Sequence, residues 1–311
     1  MLKNKYIEKI INKVLDNPQR LILPETDDSR IKKAKQKMIN IGFNILDLDD
    51  FKDHTLYINH IKNKKFTQNW TAKMLDEYIL NPLNKALIVL DLGDADCLVA
   101  GASTSTSEVI KRSIRIVGVD PKSKWISSSF FLTSADGDRS YTYADCGVIP
   151  DPDSEQLASI AYEASNIHKL ISGDDPKVAF LSFSTKGSAQ HYTVKKIQKA
   201  MTLFSKRHPN ILYEGELQFD AAINKDISKI KVKNSILKGD ANTFIFPDLN
   251  SANIAYKMSQ HLAGFNAWGP LLQGFRKPIH DLSRGCSIDD IICVSAIAAM
   301  QSLKNKIKNS I

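Results

Sequence analysis

Residues 177–188, KVAFLSFSTKGS, decide the fold. Lys177 to Ser184 is a short, continuous apolar run, the pattern of a strand covered on both faces in a parallel sheet. Thr185 to Ser188 form a loop of small residues that leads to a helix after Thr193. Upstream, PDPDSEQLASIAYEASNIHKLI (150–171) gives an acid-rich helix start and a long amphipathic helix. Strands are predicted at Trp125–Thr133 and Tyr141–Ile149, around a turn at Ala135–Asp138. FIFPDLN (244–250) ends another strand, with Asp248 and Asn250 placed either as ligand groups at its C-terminal edge or as helix caps.

The alternation continues towards the N-terminus. Ile7, Ile10, Ile11, Val14 and Leu15 mark an amphipathic helix, RLILP (20–24) a strand, and TDDS leads into a helix over Ile31–Ile39. ALIVLDL (86–92) reads as a buried strand, Cys97–Ala100 as a shorter one, and Ser105–Val117 as a helix. This pattern predicts the α/β class: two three-layer α/β domains with mainly parallel sheets and an interdomain cleft. A chain of 311 residues exceeds one typical domain. Turn signals put residues 1–133 and 270–311 in a first domain and 134–269 in a second.

Lysine and arginine number 42 against 34 acidic residues, a net charge of +8. The basic stretches at 61–65 and 304–308 lack the aromatic interleaving of a nucleic-acid platform, so a small polyanion is the expected partner and nucleic acid is not. No apolar stretch is long enough to span a bilayer, and the charged N-terminus is unlike a secretory signal; no membrane partner and a cytoplasmic location are expected. Cys97, Cys146, Cys286 and Cys293 are widely spaced without a CxxC pair or nearby histidines, which predicts reduced thiols and no metal site.

Chemistry concentrates in GPLLQGFRKPIHDLSRGCSIDD (269–290). Ser283, Arg284, Gly285 and Ser287 precede the periodic run Ile288, Ile291, Ile292, Val294, Ile297, which predicts a helix capped by Ser287 with Asp290 closing a capping box. Backbone N–H groups, the helix dipole and the planar fork of Arg284 suit a phosphate. The plainer reading pairs Arg284 with Asp281 or Asp289 and leaves the acids to complement the dipole. Cys286, beside Arg284 at the helix start, is either a nucleophile or a small buried filler. Ser184, Thr185, Lys186, Gly187 and Ser188 resemble a phosphate-cradling turn but lack the second glycine of a Walker A loop, and an ordinary strand-to-helix turn fits them as well. His191 and His280 lie near these loops and stay outside the catalytic set. The chain contains neither GxGxxG nor GxSxG.

Taken in order, RLILPETDDSR, GDADCLVAGA, SSSFFL, YADCGVIPDPDSEQLASIA, VAFLSFSTKGS, LQFDAAI, FIFPDLNSANIAYK and GPLLQGFRKPIHDLSRGCSIDDI resemble the phosphate acetyltransferase (phosphotransacetylase) family over nearly the whole chain. The resemblance implies two α/β domains, a homodimer, and acetyl transfer between acetyl phosphate and coenzyme A, giving acetyl-CoA and phosphate. Coenzyme A is then a substrate, and no cofactor is permanently bound. It also implies that Ser283 stabilises the tetrahedral transition state, Arg284 binds the phosphoryl group and Asp290 accepts the thiol proton, with Gly285 and the 184–188 loop contacting substrate. A free aspartate is a poor match for a thiol by about 4.5 pKa units, so proton acceptance requires desolvation or concert with attack.

The chain departs from the family in three places. The region Ile39–His60 is short; His280 stands where the family has Asn; and GASTSTSEVIKRSIRI offers Thr104, Thr106, Lys111 and Arg112 in place of histidine, threonines and an Arg-Pro pair. Lys111 and Arg112 are the coenzyme contacts implied there. The alternatives are a phosphate acyltransferase for a longer acyl group, or a non-catalytic acyl-CoA-binding regulatory module.

Overall fold

A computed structural model describes residues 4–309, leaving Met1–Lys3 of the charged N-terminal stretch and the Lys308 side chain outside the described residues. The chain forms two compact units, residues 1–122 with 275–311, and residues 123–274.

In chain order the first unit contains α1 (Lys5–Asp16), β1 (Leu21–Ile22), α2 (Ser29–Asn40), α3 (His54–Lys62), α4 (Ala72–Ile79), α5 (Pro82–Leu92), β2 (Cys97–Ala100) and α6 (Thr106–Ile116). The second contains β3 (Ser127–Thr133), β4 (Ser140–Ala144), α7 (Ser154–Ser172), β5 (Lys177–Leu181), α8 (Tyr192–Arg207), β6 (Leu212–Leu217), α9 (Phe219–Ile223), α10 (Lys225–Lys231), β7 (Thr243–Ile245), α11 (Leu249–His261) and β8 (Asn266–Gln273). The chain then returns to the first unit with β9 (Ile279–Asp281) and α12 (Ile288–Asn309).

The second unit shows why the strand predicted over 177–184, which ends at Leu181, is apolar from Val178 to Leu181. Its sheet has the order β6-β5-β7-β4-β3-β8, parallel from β6 to β4 and antiparallel at β3 and β8. Successive strand residues point to opposite faces. Val178 and Phe180 pack with Leu157 and Ala161 of α7 and Phe204 of α8. Ala179 and Leu181 pack with Ala221 of α9 and Tyr256 of α11. Both faces are dry, so neither register position can be polar. The predicted limits at 133/134 and 269/270 shift to 122/123 and 274/275, because β3 pairs with β4 and β8 inside this sheet. The strand predicted to Ile149 stops at Ala144, since Gly147, Val148 and Ile149 donate their N–H groups to the Asp145 carboxylate instead of a ladder.

The first unit has a parallel sheet in the order β1-β2-β9. Both α5 and α12 pack on β2, all four residues of which are buried. The run ALIVLDL, expected as a strand, is helix α5. Asn81 caps it by accepting from Leu83 and Asn84 N–H, Pro82 fills its first turn, and Gly93 closes it in the left-handed region at φ 93°. A helix buried nearly all round has no polar stripe, and its short apolar run reads like a buried strand. In the short region after Ile39 the sheet edge is reduced to a single bridge between Leu21 and Ile45.

One ion pair ties the starts of β1 and β2. Asp96, 7% exposed, accepts from Arg20 N–H at 2.9 Å and from its guanidinium at 3.1 and 2.9 Å, and Lys306 Nζ lies 2.9 Å away. Burial alone raises a carboxyl pKa, but these donors outweigh it and hold Asp96 at about 2. A depressed carboxyl stabilises the fold above its unfolded pKa, and that contribution is lost as pH falls from about 4 through about 2. Asp96→Asn is therefore expected to lower stability at pH 7 by about 2 kcal/mol and to flatten the loss between pH 4 and pH 2, as read by urea denaturation across that range.

Candidate active site

In the first unit, β9 runs into the 282–287 turn and then α12. Leu282 N–H donates to Ala100 O at 2.8 Å, and Cys286 N–H donates to Ser283 O at 2.9 Å, closing the turn. Ser283, Arg284 and Gly285 are exposed. Gly285 N–H donates to Ser283 Oγ at 3.3 Å, which leaves the Ser283 O–H free to donate elsewhere. The expected capping box is present: Asp290 N–H donates to Ser287 Oγ at 3.1 Å, while Ser287 N–H and Oγ–H each donate to Asp290 at 2.8 Å. Ser283, Arg284, Gly285 and Asp290 thus sit on one turn and the first helical turn after it.

The plainer reading of Arg284 does not hold. Asp281 is buried and accepts from Thr106 Oγ1, Asp289 lies 3.9 Å from Lys37, and the Arg284 guanidinium makes no hydrogen bond or ion pair among the described residues. Cys286 is not a poised nucleophile. It is 6% exposed, and burial pushes its thiol up to about 11 against the pull of Arg30. His280 is buried within β9, and His191 is the N-cap of α8, accepting from Thr193 N–H.

Sequence reasoning missed Glu25, Asp28 and Arg30, which follow β1. Glu25 accepts from the N–H groups of Ala102, Ser103 and Thr104, at 2.8, 3.1 and 2.7 Å, and so anchors the loop after β2. Arg30 donates to Asp28 through Nε and Nη2, to Ala102 O, and through Nη1 to Arg284 O at 2.8 Å and Cys286 O at 3.0 Å. Arg30 holds the Asp28 carboxyl at about 2. The available signal was the run of charges in ETDDSR directly after an apolar strand, where parallel sheets place functional loops. The adjoining strand ends leave no room for a side chain: a methyl on Gly101 would lie 2.1 Å from Asp281 Oδ1 and 2.7 Å from the Leu282 backbone nitrogen. Burial, helped by the Glu25 charge, pushes Asp281 up to about 7.

Lys111 and Arg112 lie on α6 beside a groove of about 490 Å³ that Trp70, Tyr78, Asn84 and Arg115 also line. Arg112 is committed to Glu108 at 3.0 Å and Asn84 at 3.0 Å, whereas the Lys111 side chain is 54% exposed, with Glu108 at 3.5 Å.

In the second unit the 184–188 loop is no phosphate cradle. Its N–H groups are already used: Thr185 donates to Ser188 Oγ, Lys186 to Glu216 O, Gly187 to Glu216 Oε1 at 2.6 Å and Ser188 to Thr185 O. Ser184 Oγ donates to the same carboxylate at 2.9 Å, and Lys186 pairs with buried Glu214 at 3.3 Å. Burial acts to raise the Glu216 pKa, but the donors from Gly187, Gln198 and Ser184 outweigh it and leave it lowered. The loop resembles an anion site because it holds an internal anion.

Three comparisons bear on this geometry. The family model described as phosphate acetyl/butaryl transferase matches residues 40–299. A phosphate acetyltransferase of Acetivibrio thermocellus is 34% identical over 325 aligned residues, covering 96% of this chain and 98% of its own, and one of Paracoccus denitrificans is 35% identical over 308, covering 93% and 96%. The solved structure of a phosphotransacetylase from Streptococcus pyogenes, 30% identical, superposes with a TM-score of 0.90 over 98% of this chain and 100% of that one. With its DLSRG turn, capping box and partner-free arginine, the chain belongs to the phosphate acetyl/butaryl transferase family.

Proposed function

We propose that the chain is a phosphate acetyltransferase, moving acetyl reversibly between acetyl phosphate and coenzyme A. The observation that carries this reading is Arg284, an exposed guanidinium with no protein partner among the described residues, set between Ser283 and a helix N-terminus in a chain of this family. Towards acetyl-CoA, the thiol sulfur attacks the acetyl carbonyl carbon. A C–S bond forms, the C–O bond to the phosphoryl group breaks, and phosphate leaves with that electron pair. Arg284 binds the phosphoryl oxygens through its planar fork. The Ser283 O–H, left free by the Gly285 contact, donates to the developing oxyanion. Asp290 takes the thiol proton in concert with attack, as the C–S bond forms.

No helix among the described residues is long and apolar enough to cross a membrane. The four cysteines are free and buried, in keeping with a reducing, cytoplasmic location. The homodimer has support in α11 and its C-cap, where Ile254, Met258 and Leu262, at intervals of four residues, are 57, 53 and 79% exposed. Lys111 serves as the coenzyme-facing cation, since Arg112 is already paired.

Mixing the protein with acetyl phosphate and coenzyme A is expected to raise thioester absorbance; coenzyme binding without turnover would make the chain a binding module. Asp290→Asn is expected to lower kcat by roughly 10²–10⁴-fold, and near-full turnover across pH would remove Asp290 as the base. Lys111→Ala should raise KM for coenzyme A about tenfold and leave KM for acetyl phosphate near wild type, since the loss of one charge-assisted contact is expected to touch only one substrate. Leu262→Glu should shift the protein to monomer in size-exclusion chromatography with light scattering; an unchanged mass would place the interface elsewhere.

A further inference from the structure

We infer that Arg30 is a positioning residue for the reaction: by binding the main-chain carbonyls of Arg284 and Cys286 it aims the N–H groups that hold Ser283 and Asp290, and it takes no part in holding substrate. The inference rests on the acetyl-transfer reading above. A guanidinium has five N–H donors, and all five of Arg30 are engaged: Nε with Asp28 Oδ1 at 3.1 Å, Nη2 with Asp28 Oδ2 at 2.7 Å and Ala102 O at 2.8 Å, and Nη1 with Arg284 O at 2.8 Å and Cys286 O at 3.0 Å. None remains for a phosphate, and Asp28 neutralises the charge. Arg30 and Arg284 are therefore the same residue type in opposite states, one saturated and one without a partner among the described residues.

The link to chemistry runs through peptide planarity. In a trans peptide the C=O of one residue and the N–H of the next point in opposite directions. Fixing the Arg284 carbonyl on Arg30 fixes the Gly285 N–H, which donates to Ser283 Oγ at 3.3 Å. Fixing the Cys286 carbonyl likewise fixes the Ser287 N–H, which donates to Asp290 at 2.8 Å. One half-buried fork thereby orients both side chains assigned to the oxyanion and the proton. On the far side it holds Ala102 O, and Glu25 takes the Ala102 N–H at 2.8 Å, so the turn is referenced to the loop after β2. Lysine cannot substitute, because a point charge with three donors cannot span acceptors on three chain segments.

Arg30→Lys is expected to lower kcat on the order of 10–100-fold, the scale of a sub-ångström to ångström misplacement, with KM for both substrates within about threefold. In a Ser283→Ala/Asp290→Asn background the same substitution should cost less than about threefold, because both residues it positions are gone. Equal losses in both backgrounds, or a rise confined to KM for acetyl phosphate, would overturn the proposal. A second measurement does not depend on turnover. Cys286 is 6% exposed beneath this clamp, so its maleimide labelling, located by peptide mass, should accelerate at least about tenfold in Arg30→Lys if local opening governs access. An unchanged labelling rate also refutes it. If Arg30→Lys fails to fold, Asp28→Asn, which keeps an oxygen to cap α2, carries both tests with smaller expected changes. Should the wild-type protein form no acetyl-CoA, the functional reading fails while the labelling result still decides the role of Arg30.

Discussion

The loops at the C-terminal ends of parallel strands depend on one constraint: each carries backbone N–H groups that have left the ladder and need acceptors. In this chain the acceptors are carboxylates held close to the sheet. Glu25 takes the N–H groups of Ala102, Ser103 and Thr104. Asp145 takes those of Ser128, Gly147, Val148 and Ile149, and Glu216 that of Gly187 with the hydroxyl of Ser184. Burial works to raise the pKa of Asp145 and Glu216, and the converging donors work to lower it; burial wins at Asp145 and the donors win at Glu216. The turn bearing Ser283 inverts this scheme, since its carbonyls are bound by a cation, Arg30.

Much of the fold was legible because its signals are local. Val178–Leu181 is apolar at every step because each face of the second sheet meets its own helical layer. The capping box at Ser287 and Asp290 could be read from two residues at the right spacing, and it is present in full. The misread element, α5, shows where local reasoning ends. Seven of its residues are buried, so the apolar periodicity that separates helix from strand is erased. Asn81, Pro82 and Gly93 bracket it as helix caps, a signal the strand reading passed over in favour of hydrophobicity. The limits of the two units depended on pairing between strands far apart in sequence, Ser127–Thr133 with Asn266–Gln273, which no local pattern encodes.

The site was legible in residue type and not in occupancy. TKGS has the composition of an anion loop, and the acceptor that fills it, Glu216, lies about thirty residues downstream on another strand. Cys286 stands next to an arginine in sequence, but burial dominates its thiol. Arg30 and Arg284 are indistinguishable as letters. What separates them is the number of donors already spent, and that follows from which carbonyls the fold brings within reach.

Asp281 and Asp290 differ in how far each is open to solvent. Matching the base to a thiol favours Asp281, which burial pushes up to about 7, over an ordinary carboxylate. Yet Asp281 is buried, with Gly101 packed so closely that even a methyl there would meet Oδ1 at 2.1 Å. Its Oδ2 faces Thr106, so a thiol has no direct approach to either oxygen. Asp290 is only partly buried, on the first turn of α12, directly after the turn that bears Ser283 and Arg284. A proton acceptor must first be within reach of the proton, and only then does its basicity set the rate. The acid with the better-matched pKa is therefore part of the floor of the strand ends. In the proposed reaction the reachable carboxylate, Asp290, takes the proton while the C–S bond is forming, when the thiol is already losing its hold on it.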